Sequence, residues 1–102
     1  QLHQKKRIEV IIEKMAARRA ARVLAEAGAK GYTIVPALEG AGTNNKWRRD
    51  SDISGSRDMV FVIAITDEAI AKRALQNLYE LLGEQIGVVS IGTVDVLRPD
   101  LF

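Results

Sequence analysis

"MVFVIAITDEAIAKRALQNLYELLG", residues 59–83, decides the fold. It opens with a continuous apolar run from Met59, which suits a strand paired in the middle of a sheet and covered on one face. A helix follows without a break. Thr66 or Asp67 is placed to cap its exposed N–H groups, and Glu68 suits the positive end of its dipole. Ile70, Ala74, Leu78, Leu81 and Leu82 form the expected apolar stripe, and Gly83 stops the helix.

The same strand-to-helix order occurs earlier. "RIEVIIE", Arg7 to Glu13, reads as a buried strand, with residues 1–5 as a tail. "KMAARRAARVLAEAG" reads as a helix with Ala16, Ala17, Ala20, Ala21, Leu24 and Ala27 at helical spacing, and Arg18, Arg19, Arg22 and Glu26 largely off that stripe. Gly28 ends it. "GYTIVPAL", Gly31 to Leu38, is a strand in which Pro36 requires an edge, a bulge or an end. "VVSIGTVDVLR", Val88 to Arg98, is the last strand, stopped by Pro99. The order βαββαβ predicts an α+β ferredoxin-like sandwich, one antiparallel sheet with two helices on one face. The other face needs cover, which points to an oligomer.

Composition sets limits. The 102 residues are expected to form one domain, 1–102. Apolar residues make up 47% and charged residues 27%, an ordinary globular balance and not a disordered one. A net charge of +2 does not argue for nucleic acid. Without cysteine there is no disulfide framework, thiolate metal site or thiol nucleophile. His3 is the one histidine, so imidazole catalysis and metal binding are not expected. No segment approaches the ~20 apolar residues of a membrane span, so no direct membrane insertion is expected. The start at Gln1 points to lost initiator residues, and cytoplasm is the expected location.

Between the middle strands lies "GAGTNNKWRRDSDISGSRD", residues 40–58. Loops beyond about 12–15 residues are usually functional or disordered. Gly40 and Gly42, with Ala41 between them, let a backbone approach a ligand closely and aim N–H groups at phosphate oxygens. Lys46, Trp47, Arg48 and Arg49 follow, with Arg57 further on, nearly balanced by Asp50, Asp52 and Asp58. A tryptophan in such a loop suits anchoring to a partner. The carboxylate pairs have no histidine, serine elbow or metal-ligand partner, so no catalytic constellation is present and an enzyme is not expected.

"EAGAKGYTIVPALEGAG", "MVFVIAITDEAIAKRAL" and "IGVVSIGTVDVLR" together resemble the PII signalling superfamily, over roughly Lys6 to Arg98. Within it, the "W-R" loop and the "Y-T-x-x-P-A-L" strand resemble the PII-like branch associated with carboxysome operons and inorganic-carbon uptake. The resemblance implies a homotrimer with adenine nucleotide bound in three inter-subunit clefts. It also implies a long T-loop, about residues 39–58, that orders with ligand and docks on a target protein, a transporter or carbon-fixation component. Carried over residue by residue, Gly40, Ala41 and Gly42 face the phosphates and Thr33 lies close to the adenine. Ala64 is an apolar wall of the base pocket, Gly87 lies near the loop that covers the phosphates, and Arg98 contacts a phosphate. The departures matter as well. "GEQIGVVS" is short and lacks the lysine that nitrogen-sensing members use for terminal phosphates, which favours AMP or ADP over ATP; cyclic AMP is a further candidate. The loop has no tyrosine for nucleotidylation, since Tyr32 and Tyr79 lie outside it. Bicarbonate is the natural second ligand of a carbon-linked relative, with Lys46, Arg48 and the loop-base amides as anion contacts. No further cofactor is required. The competing readings are a metal-responsive trimer of the cation-tolerance type and a slow nucleotide hydrolase.

Overall fold

The computed structural model describes residues 1–41, 46–48, 58–83 and 86–102. Strand β1 (His3–Glu13) leads directly into helix α1 (Lys14–Ala27). Strand β2 (Thr33–Pro36) precedes a two-stranded hairpin of β3 (Glu39–Ala41) and β4 (Lys46–Arg48). Then come β5 (Met59–Thr66), helix α2 (Glu68–Leu82), β6 (Ile86–Val96) and a 3₁₀ turn, Pro99–Leu101. The main sheet has the order β2-β5-β1-β6 and its described pairs are antiparallel. The predicted α+β sandwich is therefore the observed one.

The register sorts the side chains onto two faces. Ile8, Val10 and Ile12 stand beside Ala64, Val62 and Val60, and all six are buried beneath the helices. Alternation puts Arg7, Glu9 and Ile11 on the other face, beside Ile65, Ile63 and Phe61. Among the described residues, no helix lies on this second face. Because its residues in β5 are also apolar, β5 reads as a continuous run although its burial strictly alternates. The helices contribute Ala16, Ala17, Ala20, Val23, Leu24 and Ala27 from α1 and Ala71, Ala74, Leu78 and Leu82 from α2. So many alanines let the helices lie close to the sheet.

Several boundaries differ from the expectation. β1 begins at His3, and residues 3–5 are strand, not tail, because β6 is long enough to pair His3 with Val96 and Lys5 with Val94. Part of the expected loop is the β3–β4 hairpin. Leu81 is 65% exposed; Leu82, one residue on and about 100° around the helix, takes the core position. Neither Thr66 nor Asp67 caps α2 with its side chain. Asp67 holds the N-cap position, but its carboxylate is ion-paired with Lys5. Thr66 is fully buried, and its Oγ1 has no hydrogen-bond partner among the described residues.

Two local devices fix the ends. Gly28 adopts φ 117°, the left-handed conformation that closes α1, and its N–H donates to the Ala25 carbonyl at 3.0 Å. Arg73 of α2 donates to the Ala27 carbonyl from Nε at 3.1 Å and Nη2 at 2.6 Å, which ties the two helices together. Pro36 is the last residue of edge strand β2. The Ala37 N–H donates to the Met59 carbonyl at 3.0 Å, so by ladder alternation Pro36 faces Val60 at a non-bonded position, where its missing N–H loses nothing.

Among the described residues, no helix is long and apolar enough to cross a membrane.

Candidate functional site

β6 is an edge strand that extends past the helix layer. Val88 is 53% and Ile91 43% exposed, although the register puts them on opposite faces of the sheet. A long apolar edge with both faces uncovered invites another chain. The candidate residues follow that geometry.

One group lies at the end of the sheet where β1 finishes. Gly40 and Ala41 are in β3, beyond the end of β2; Gly40 is half-buried and Ala41 is exposed. The hairpin pairs Gly40 with Trp47 and Ala41 with Lys46, while Arg48 stands opposite Glu39. The ladder therefore joins the candidate phosphate-binding backbone to the candidate partner-binding strand. Gly42 and Arg49 lie outside the described residues.

Gly87 is at this same end, the second residue of β6, where the pairing with β1 shifts register between Ile11 and Ile12. A Cβ added to Gly87 would sit 2.9 Å from the Ile11 carbonyl oxygen. Close approach of two backbones at a bulge accounts for the glycine.

A second group lies at the opposite end. Thr33 opens β2 on the uncovered face, opposite Ile63. Arg98 follows β6, with its side chain 69% exposed. Ala64 belongs to this half of β5 but is only 2% exposed, on the helix-covered face opposite Ile8. Its methyl belongs to the core. The alternation of β5 places Ala64 on the face opposite to the one that carries Thr33.

The two groups are far apart. From Gly87 to Val96 the strand rises about 3.3 Å per residue, roughly 30 Å in all. A single copy does not bring Gly87 and Arg98 around one nucleotide-sized ligand.

Cations cluster at the Thr33–Arg98 end. Lys5 pairs with Asp67, and Lys6 Nζ donates to Thr93 Oγ1 at 2.7 Å. Lys30, in the connection from α1 to β2, donates from Nζ to the Asp100 carbonyl at 2.9 Å. Asp100 Oδ1 lies 3.8 Å from Arg98 Nε. The sequence reading missed Lys30 and Asp100. The only local signal was a lysine just ahead of Gly31-Tyr32-Thr33.

The sequence profile described as nitrogen regulatory protein P-II matches residues 5–101. The chain belongs to the P-II family. Among solved structures, it is similar to CPII, a nitrogen regulatory PII-like protein from Thiomonas intermedia K12. The TM-score is 0.89 and the identity 28%, over 100% of this chain and 96% of that one. That CPII structure is bound to ADP, AMP and bicarbonate. A PII-like signaling protein from Thermus thermophilus is similar at a TM-score of 0.80 and 26% identity, over 98% of this chain and 96% of that one. CutA1 from Oryza sativa, with a TM-score of 0.62 and 15% identity over 94% of this chain and 83% of that one, shares the fold alone. Comparison with curated protein sequences gives no match.

Proposed function

We propose that this P-II family member is a non-enzymatic cytoplasmic sensor. It binds AMP or ADP between the subunits of a homotrimer, takes bicarbonate as a second ligand, and regulates a transporter or carbon-fixing assembly through its loop at residues 39–58. One observation carries the reading: the candidate residues split between the two ends of the sheet, about 30 Å apart by the rise of β6. Gly40, Ala41 and Gly87 then come from one copy, and Thr33 and Arg98 from the next. Backbone N–H groups and a guanidinium are the donors a phosphate needs. The ligands of the Thiomonas CPII structure support both the nucleotide class and the bicarbonate. The Gly40–Trp47 pairing supports a loop that responds to ligand, since a phosphate held by the β3 backbone bears on β4 through the ladder.

Calorimetric titration with AMP, ADP, ATP and cyclic AMP, each with and without bicarbonate, tests this. Binding of AMP or ADP, strengthened by bicarbonate, is expected. Nucleotide binding that bicarbonate leaves unchanged removes the carbon link, and no nucleotide binding removes the sensor reading.

A further inference from the structure

The turn Pro99–Leu101 rests against the connection that leads into Thr33. Two cations converge there on one residue. Lys30 holds the Asp100 carbonyl at 2.9 Å, and Arg98 faces the Asp100 carboxylate at 3.8 Å. The second distance is longer than a direct hydrogen bond, so Asp100 neutralises Arg98 without a well-formed contact. Both partners are largely exposed, and a solution anion can reach them. A phosphate carries more charge than a carboxylate and offers several oxygens to a guanidinium fork. Neither Lys30 nor Asp100 belongs to the site as the sequence described it.

We propose that Lys30 and Arg98 form a two-cation cradle for the nucleotide's phosphates, and that Asp100 is its internal stand-in, displaced when the phosphate arrives. The proposal rests on the nucleotide-binding reading of this P-II member and deepens it. It names Lys30 as a further ligand contact and Asp100 as a residue that sets affinity. It also gives the turn a motion, because Lys30 must release the Asp100 carbonyl to reach the ligand. Two cations suit two phosphates, so ADP gains more from the cradle than AMP.

The test is calorimetric titration of ADP, AMP and adenosine into the full chain and its Asp100→Asn, Arg98→Ala, Arg98→Ala/Asp100→Asn and Lys30→Ala variants. Asp100→Asn removes one exposed competitor and is expected to tighten ADP about two- to fivefold, the range set by exposed ion pairs. That gain disappears when Arg98 is absent. Lys30→Ala weakens ADP by a similar factor, and adenosine distinguishes none of the variants. An Asp100→Asn variant equal to wild type overturns the stand-in. So does a gain that survives Arg98→Ala, since it would reflect overall charge alone. If Lys30→Ala binds ADP normally, the cradle falls. In these cases a wild type that still binds ADP keeps the nucleotide reading. A wild type that binds no nucleotide overturns that reading and the cradle with it.

Discussion

A cleft assembled from two copies makes a prediction that a self-contained site does not. Arg98→Ala damages one half of the cleft, and Ala41→Asp damages the other. Both positions are exposed, so neither change disturbs the core. Loss of a charged donor to a phosphate costs about 1.5–3 kcal/mol. A carboxylate about 6 Å from a phosphate charge costs about 3 kcal/mol at an effective dielectric of 20. Each penalty is about tenfold or more in affinity, so neither variant alone has sites of wild-type affinity. Unfold the two variants together in equal amounts and refold them, so that copies assemble at random. A cleft is intact when its Ala41 half comes from the Arg98→Ala copy and its Arg98 half from the Ala41→Asp copy. Each choice has even odds, so about one quarter of the clefts recover in a closed ring of identical contacts. Calorimetry on the mixture should read about one quarter of the wild-type stoichiometry, at wild-type affinity. Zero recovery, with mixed assembly shown by mass spectrometry, would put both residues in the same half-site and refute the reasoning.

Thr66→Val replaces a fully buried hydroxyl, without a partner among the described residues, with a methyl of the same shape; we expect about 1 kcal/mol of added stability in urea unfolding, and a loss of stability would show that the hydroxyl is satisfied. Gly87→Ala should destabilise by about 1–3 kcal/mol, because its Cβ would sit 2.9 Å from the Ile11 carbonyl; at about 4–8 °C per kcal/mol the drop is measurable by calorimetric melting, and an unchanged melting temperature counts against the packing account. Trp47, the one tryptophan, pairs across the hairpin with Gly40, so saturating ADP should change its emission; a flat signal at saturation would uncouple β4 from the ligand.

Much of the fold was legible because its signals are local. Alanine and leucine at helical spacing marked both helices, and Gly28 and Gly83 marked their ends. What escaped was set by distant partners. The polar start of β1 has no strand signal of its own; Lys5 and Lys6 become strand because β6 runs far enough to pair with Val94 and Thr93. Thr66 read as a cap because a threonine before Asp-Glu resembles one, yet the chain turns one residue later and buries it. In the candidate site, Gly40 and Arg98 were visible as residue types suited to phosphate, and Gly87 came from the family resemblance alone. Their separation was not, since it is a property of sheet order. Ala64 shows the same limit from the other side: a small apolar residue next to a binding strand has no local mark of which face it occupies. Lys30 and Asp100 lie far apart in the sequence, and only the folded chain joins them.

The uncovered sheet face and the divided site are two consequences of one arrangement. The helices cover β1 and β5, while β6 extends beyond them with apolar residues on both sides. A second copy would bury that surface, and a second copy is also what the proposed divided cleft needs. A ligand that bridges two copies must then stabilise their association, by an amount that grows with RT ln(1 + [L]/Kd). By linkage, assembly must tighten ligand binding by the same factor. Diluting the protein should therefore lower its apparent affinity for ADP, and added ADP should hold the assembly together at dilutions where the unliganded protein dissociates. Analytical ultracentrifugation across a dilution series reads both effects. An assembly whose dissociation is the same with and without saturating ADP would separate the cleft from the interface, and the divided site would have to be abandoned.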